Sequence, residues 1–317
     1  MVDRETRGGR AGRRGRRQAG DSAPSIVRSE RYRQLHNRLN LQTPLSQDRV
    51  EAIHDTALRV LEELGVKVLL PEARAAFARA GCPADGEDMV RLDRALVARG
   101  IETAPSVFPV KAGAAHRDLV LGGDSTVFLG VGGAPNYSDF ETTKRAGSFV
   151  DATKFVRLSQ SFDVIHMLSP NVEPQDTPPE TRHLLMSEMM LTESDKPIFV
   201  YARGQPQALD CFEMLRIARG ADEERFRETA YCYTVINTNS PRQLDIPMCQ
   251  GIMDFAAHGQ ISVITPFTLS GAMAPVSIPG ALVLAHAEAL AGITLAQITR
   301  EGAPVVYGSF TSNVDMK

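Results

Sequence analysis

The chain has 317 residues, 43% hydrophobic and 23% charged, an ordinary globular composition with length for one large core or two domains. A formal net charge of −3 excludes the strong field that would recruit nucleic acid or an anionic membrane surface. The Arg/Gly-rich N-terminus has no apolar stretch and so is no secretory signal, while four scattered cysteines (Cys82, Cys211, Cys232, Cys249) without a CxxC argue against a disulfide framework or zinc knuckle and point to a reducing cytoplasm.

Residues 1–24 read as a disordered basic tail, with Arg4, Arg7, Arg10, Arg13, Arg14, Arg16 and Arg17 set among Gly and Ala. A nucleic-acid arm is the sharper reading of such a run. The acidic balance of the rest of the chain favours a plain disordered tail, or an arm lying on an acidic partner subunit.

Residues 25–117 read as an N-terminal α-rich region. Ser46 precedes Asp48 as a helix start, and Ile53, Ala57, Val60, Leu61 and Leu64 follow at helical spacing until Gly65. Val66–Leu69 reads as a short strand. Pro71 opens a second helix that Gly81 stops, and a third runs from Leu92-Asp93 to Arg99. This region carries no recognisable chemistry.

From about Asp118 short apolar strands alternate with longer helical patterns. Strands are expected at Thr126–Leu129, Asp163–Leu168, Pro197–Tyr201, Ala230–Ile236, Ile261–Thr265 and Val305–Tyr307. Helices are expected at 148–160, 179–191, 207–218, 246–258 and in the Ala/Leu-rich stretch after Pro279. That last stretch comes closest to the roughly 18 uncharged apolar residues of a membrane span, but His286 and Glu288 interrupt it, so no membrane span is expected. Strict β/α alternation implies a parallel sheet covered by helices. The glycines after the first strand read GVGGAP rather than GxGxxG, and no acidic residue ends the second strand, so a dinucleotide-binding sheet is disfavoured. The expected fold of residues 118–317 is therefore a partial (β/α)8 TIM barrel holding about six of its eight units, and the chain is expected to be a fragment or the product of an early-terminated frame.

In such a barrel the functional residues lie at the C-terminal ends of the strands. In order, these ends offer Gly130, Gly132, Asn136 and Tyr137; His166, Ser169 and Asn171; Tyr201 and Arg203; Asn237, Thr238, Asn239 and Ser240; Thr265, Phe267 and Thr268; and Tyr307, Ser309, Thr311 and Asn313. The set is poor in carboxylates and rich in hydroxyls, amides and aromatics, which suits positioning and cation–π contact better than proton transfer. Substrate contacts are expected from Tyr201, Phe267 and Tyr307, with Asn237 and His166 as polar partners. The three aromatics could equally plug the top of the barrel, and His166 could equally be a hydrogen-bonded core residue. No catalytic residue and no metal ligand stand out: HExxH, GxSxG and the P-loop are absent. His286-Ala287-Glu288 has the HxE spacing of zinc deaminases without the matching PCxxC, so both residues are expected to face solvent or to serve neighbours within the helix. Lys196 lies at the wrong end of its strand for a Schiff base, and Lys317 too far past its own.

GRRGRR near the start, LEELGVKV, HAEALAGITLAQ and above all PVVYGSFTSNVDMK resemble the trimethylamine methyltransferase family, over nearly the whole chain from about Arg13. The resemblance implies a TIM barrel that moves a methyl group from trimethylamine, or from a quaternary amine such as glycine betaine, to the Co(I) of a corrinoid (cobalamin). A separate small corrinoid protein carries that cofactor, and this chain binds none itself. It also implies a cytoplasmic homo-oligomer and family members that continue beyond VDMK. One branch of the family carries pyrrolysine in its site and another lacks it; no nonstandard residue occurs here, which favours the quaternary-amine branch. The reading of another class is a barrel that only binds a quaternary amine or docks a corrinoid protein.

Overall fold

The computed structural model describes residues 34–39 and 42–314. The expected basic tail, residues 1–24, and Lys317 lie outside them. The first part of the chain begins with β1 (Leu35–His36) and α1 (Gln47–Arg59), whose last turn widens into a π-helical turn over Val60–Leu64. Gly65 ends it at φ 73°, where an added Cβ would lie 2.6 Å from the Val90 carbonyl oxygen. Then come β2 (Val66–Val68), α2 (Pro71–Arg79), the hairpin β3 (Ala84–Asp85) and β4 (Met89–Val90), and α3 (Arg94–Thr103), whose N-cap Asp93 accepts from the Ala95 N–H. These three helices are the ones expected.

Two further hairpins follow that the hydrophobic pattern did not reveal. They are β5 (Val107–Val110) with β6 (Leu119–Gly122), and β8 (Asn136–Tyr137) with β9 (Arg145–Ala146). Between them β7 (Ser125–Thr126) pairs antiparallel with β1. Then come α4 (Phe149–Ser161), α5 (Arg182–Glu193), β10 (Ile198–Phe199), α6 (Gln205–Arg219), the short α7 (Glu223–Glu228), β11 (Cys232–Ile236), β12 (Gln243–Leu244), α8 (Ile246–Ala257), β13 (Ile261–Ile264), β14 (Phe267–Ser270), α9 (Ile278–Thr299), β15 (Val305–Tyr307) and β16 (Phe310–Asn313). A capping box of Ser148 and Asp151 starts α4, and the side chains of Asp222, Asp245 and Ser277 cap α7, α8 and α9.

The central sheet is all parallel in the order β10-β11-β13-β15. Each strand lies beside the next in the chain, with no reversal of the kind a doubly wound sheet shows. The fold class α/β with a parallel sheet is thus as expected. The first two expected strands, however, shrink to a single bridge, Leu129 with Met167. Two bonds keep them in the same order: His166 N–H to the Phe128 oxygen at 2.8 Å, and Leu168 N–H to the Pro197 oxygen at 2.9 Å. A regular ladder fails there because Ser125–Thr126 is drawn to β1, and because the Phe128 N–H donates to His166 Nδ1 (2.9 Å) instead of to a strand carbonyl.

Side chains alternate across this sheet. On one face Ile198, Val200, Cys232, Ile236 and Ile264 join the main core with α5, α6, α8 and α9. On the other, Tyr233 and Ile261 are buried with Met167, and Phe199, Val235, Val263 and Val306 pack beside them. The β5–β6 hairpin closes this inner face from below. It contributes Val110 and Leu119, and Lys111 N–H bonds the Ala230 oxygen just before β11. α9 is long and apolar enough to cross a membrane by length and composition, yet most of it is buried, against α1, α2, α3, α8 and the sheet. It packs closely on α3, where an added Cβ on Gly100 would sit 3.3 Å from Thr294 Cα. Lys196, fully buried at the start of β10, donates from Nζ to the Ser159 (2.6 Å) and Phe162 (2.8 Å) oxygens, satisfying carbonyls at the end of α4.

Candidate functional site

Along the inner face an aromatic column climbs towards the C-terminal ends of the strands. The Tyr233 and Phe199 rings meet edge to face at 5.5 Å, and those of Phe199 and Tyr201 at 5.0 Å. The Arg203 guanidinium lies 4.8 Å above the Tyr201 ring. At the foot, the Tyr233 hydroxyl donates to the Leu168 oxygen (2.9 Å) and so takes the Ser169 hydroxyl (2.7 Å) as its donor. Higher up, the Tyr201 hydroxyl is buried with no hydrogen-bond partner among the described residues. Burial pushes both phenols well above their ordinary range, so both stay protonated.

Arg203 is held by Glu173, which stands in the loop after the second expected strand. The fork is bidentate, Nη1 to Oε1 at 2.5 Å and Nη2 to Oε2 at 2.9 Å, and Arg182 at the start of α5 adds a third bond to Oε1 at 2.9 Å. The Arg203 hydrogen bond foremost, against the cost of burial, holds Glu173 below the usual carboxylate range. A second buried carboxylate, Glu288 of α9, reaches the loop after β11. It accepts from the hydroxyls of Thr238 and Ser240 (2.7 Å for Ser240) and from the Arg242 N–H (2.7 Å). Burial raises its pKa in spite of these donors.

The structure separates the other expected site residues. His166 is fully buried, its ring stacked on Phe128, and burial together with the charge of Lys196 lowers its pKa. Asn237 is exposed and accepts from the Thr265 hydroxyl at 2.9 Å. Phe267 stacks on Phe310 at 4.9 Å in a parallel pair, β14 with β16, that continues beyond the ends of β13 and β15. Tyr307 pairs with Ile264, whose side chain is on the helix-packed face, and its hydroxyl meets His286 Nδ1 of α9 at 3.0 Å. His286 Nε2 in turn meets His54 Nδ1 of α1 at 2.8 Å. These three groups line a cavity of about 730 Å³ between the β15 edge, the β5–β6 hairpin and Val127. Against the expectation that His286 and Glu288 face solvent or serve neighbours within the helix, both tie α9 to other elements.

Sequence reasoning gave Arg203 no role and passed over Glu173, Arg182 and His54 altogether. Glu173 sits in NVEPQDTPP, where nothing in the pattern announces partners nine and thirty residues away. Among the described residues no group of three or more His, Cys, Asp or Glu side chains is placed to hold a metal ion.

A profile of the Trimethylamine methyltransferase (MTTB) family matches residues 7–317. The chain belongs to this family. Glycine betaine methyltransferase of Desulfitobacterium hafniense (strain Y51) is 32% identical over 274 residues, 86% of this chain and 57% of that protein. Trimethylamine methyltransferase MttB of Desulfitobacterium hafniense (strain DSM 10664 / DCB-2) is 29% identical over 274 residues, 86% of this chain and 55% of that protein. The proline betaine:corrinoid methyltransferase of Eubacterium limosum is 26% identical over 281 residues, 84% of this chain and 56% of that protein. The chain thus spans a little over half the length of the relatives it matches.

Proposed function

We propose that the chain takes part in methyl transfer from a methylated amine, trimethylamine or a quaternary amine, to the cobalt of a corrinoid carried by a separate small protein. The family membership over residues 7–317 carries this reading. The parallel strands and their bridges then form six consecutive positions of a (β/α)8 barrel, and the corrinoid protein meets their C-terminal ends.

The site chemistry supports it. When Co(I) attacks a methyl group of a quaternary ammonium, the C–N bonding pair stays on nitrogen and a neutral tertiary amine leaves. Such a step needs no general acid. It needs a cation held still against aromatic surface, one methyl aimed outward, and water excluded. Both buried carboxylates near the strand ends fit that requirement, because Glu173 is already taken by two guanidinium groups and Glu288 by three donors.

Free cob(I)alamin offered with trimethylamine, tetramethylammonium or glycine betaine is the test. Methylation of the cobalt, followed in the visible spectrum, is the expected result. Tight binding of an amine with no methyl transfer, to free cob(I)alamin or to a corrinoid protein, would leave a binding barrel in place of an enzyme.

A further inference from the structure

The cluster above Tyr201 holds more positive charge than it neutralises. One carboxylate, Glu173, faces two guanidinium groups, Arg182 and Arg203. Arg182 donates from all three of its nitrogens, besides Glu173 from Nε to the Thr177 hydroxyl (3.1 Å) and from Nη2 to the Thr177 oxygen (3.0 Å), and its side chain is only 16% exposed. Arg203 is freer: among the described residues its hydrogen bonds all go to Glu173, through one N–H on each terminal nitrogen, and its side chain is 53% exposed. A guanidinium has five N–H donors, so most of the fork is open to a further acceptor. Directly beneath, Tyr201 is 8% exposed, and its hydroxyl is buried without a partner among the described residues, which is costly unless something completes it.

We infer that Arg203 is the anchor for a carboxylate of the substrate, with the Tyr201 hydroxyl as its neighbouring polar group, so that the methylated amine this site takes is a zwitterionic betaine. This deepens the proposed methyl-transfer reading and rests on it. A simple alkylammonium finds two obstacles here. The local excess charge repels it, and the Tyr201 face it would seek is already covered by the Arg203 guanidinium. A betaine turns both into assets. Its carboxylate matches the planar, always-charged fork of Arg203 and neutralises the excess, and its ammonium is then held one methylene away from that anchor.

Calorimetric titration of the full chain with glycine betaine and with choline tests this. Choline is the same cation with a hydroxymethyl group in place of the carboxylate. Glycine betaine is expected to bind more tightly. Arg203→Met is expected to weaken glycine betaine roughly tenfold or more while choline binds no less tightly, because the change removes the repulsion and uncovers the Tyr201 ring. Arg203→Lys, which keeps the charge but loses the fork, is expected to fall between Arg203→Met and the native chain for glycine betaine, and circular dichroism checks that each variant is folded. Equal affinity for the two ligands, or tightening of both in Arg203→Met, overturns the inference, the latter meaning that Arg203 merely plugs an aromatic cation site. If neither ligand binds the native chain this inference falls, and the methylated-amine reading falls with it when trimethylamine and tetramethylammonium fail to bind as well.

Discussion

His286 illustrates how a single side chain couples chemistry to stability. Burial first, and then the neighbouring His54, lower its pKa from 6.5 to about 4 in the folded chain. The unfolded chain therefore binds a proton that the folded one refuses. The sign follows: this contribution to stability is complete above pH 6.5 and is lost progressively as pH falls from there towards 4. Urea unfolding at pH 7 and pH 5 is expected to show a smaller pH-dependent loss in His286→Gln than in the native chain; an equal loss would mean that His286 is not the group responsible. The residue scale is also where the sequence was least legible. Tyr201 and Tyr307 both stand at expected strand ends, yet they lie on opposite faces of the sheet. Neighbouring strand residues alternate sides, so an uncertainty of one position in where a strand stops is enough to reverse a side chain. Glu173 and Glu288 were illegible for another reason. A buried carboxylate is defined by its donors, and those of Glu288 lie 46 to 50 residues away in the chain.

Among elements, the helices were legible to within a few residues, because periodicity and caps are both local. The Ser148–Asp151 capping box and the Asp245 cap mark starts that the sequence states outright. The weak strands were not legible, since pairing is a property of neighbours: Thr126–Leu129 has the composition of a strand but gives its first residue to β1 and an amide to a histidine ring. How α9 packs is likewise set by its partners. Where α3 crosses it, a Cβ on Gly100 would meet Thr294 Cα and Oγ1, both at 3.3 Å. Gly100→Ala should therefore fall short of the roughly 0.5–1 kcal/mol that removing a helical glycine usually contributes. Gly100→Val should crowd the crossing and cost about 1–3 kcal/mol. Denaturant midpoints at constant m-value check both. A valine as stable as the native chain would show that the two helices can part without penalty.

For the whole molecule, strict alternation of strands and helices in the sequence foretold a parallel sheet, and the strand order follows the chain from β10 to β15. What alternation could not foretell is the floor beneath the sheet, since β5 falls at the end of the region read as α-rich and β6 just past it, where no strand was expected. All described segments of this architecture share one property in their sulfur. Cys82, Cys211, Cys232 and Cys249 are all free and buried, in α6, α8, β11 and the turn after α2. Burial pushes the thiols of Cys211 and Cys249 up to about 11 and about 12, and that of Cys232 well above 9. The nucleophile in thiol chemistry is the thiolate, so Cys211, Cys232 and Cys249 are masked twice, by access and by protonation, and Cys82 by access. The protein thereby carries a built-in clock for its own opening. Under native conditions a disulfide reagent such as DTNB should modify none of the four promptly, and the slow rate at which each sulfur yields reports how often the layer around it comes apart. Cys82 yielding first would place the weakest seam beside α2, whereas simultaneous loss of all four would mean that the helices and the sheet open as one.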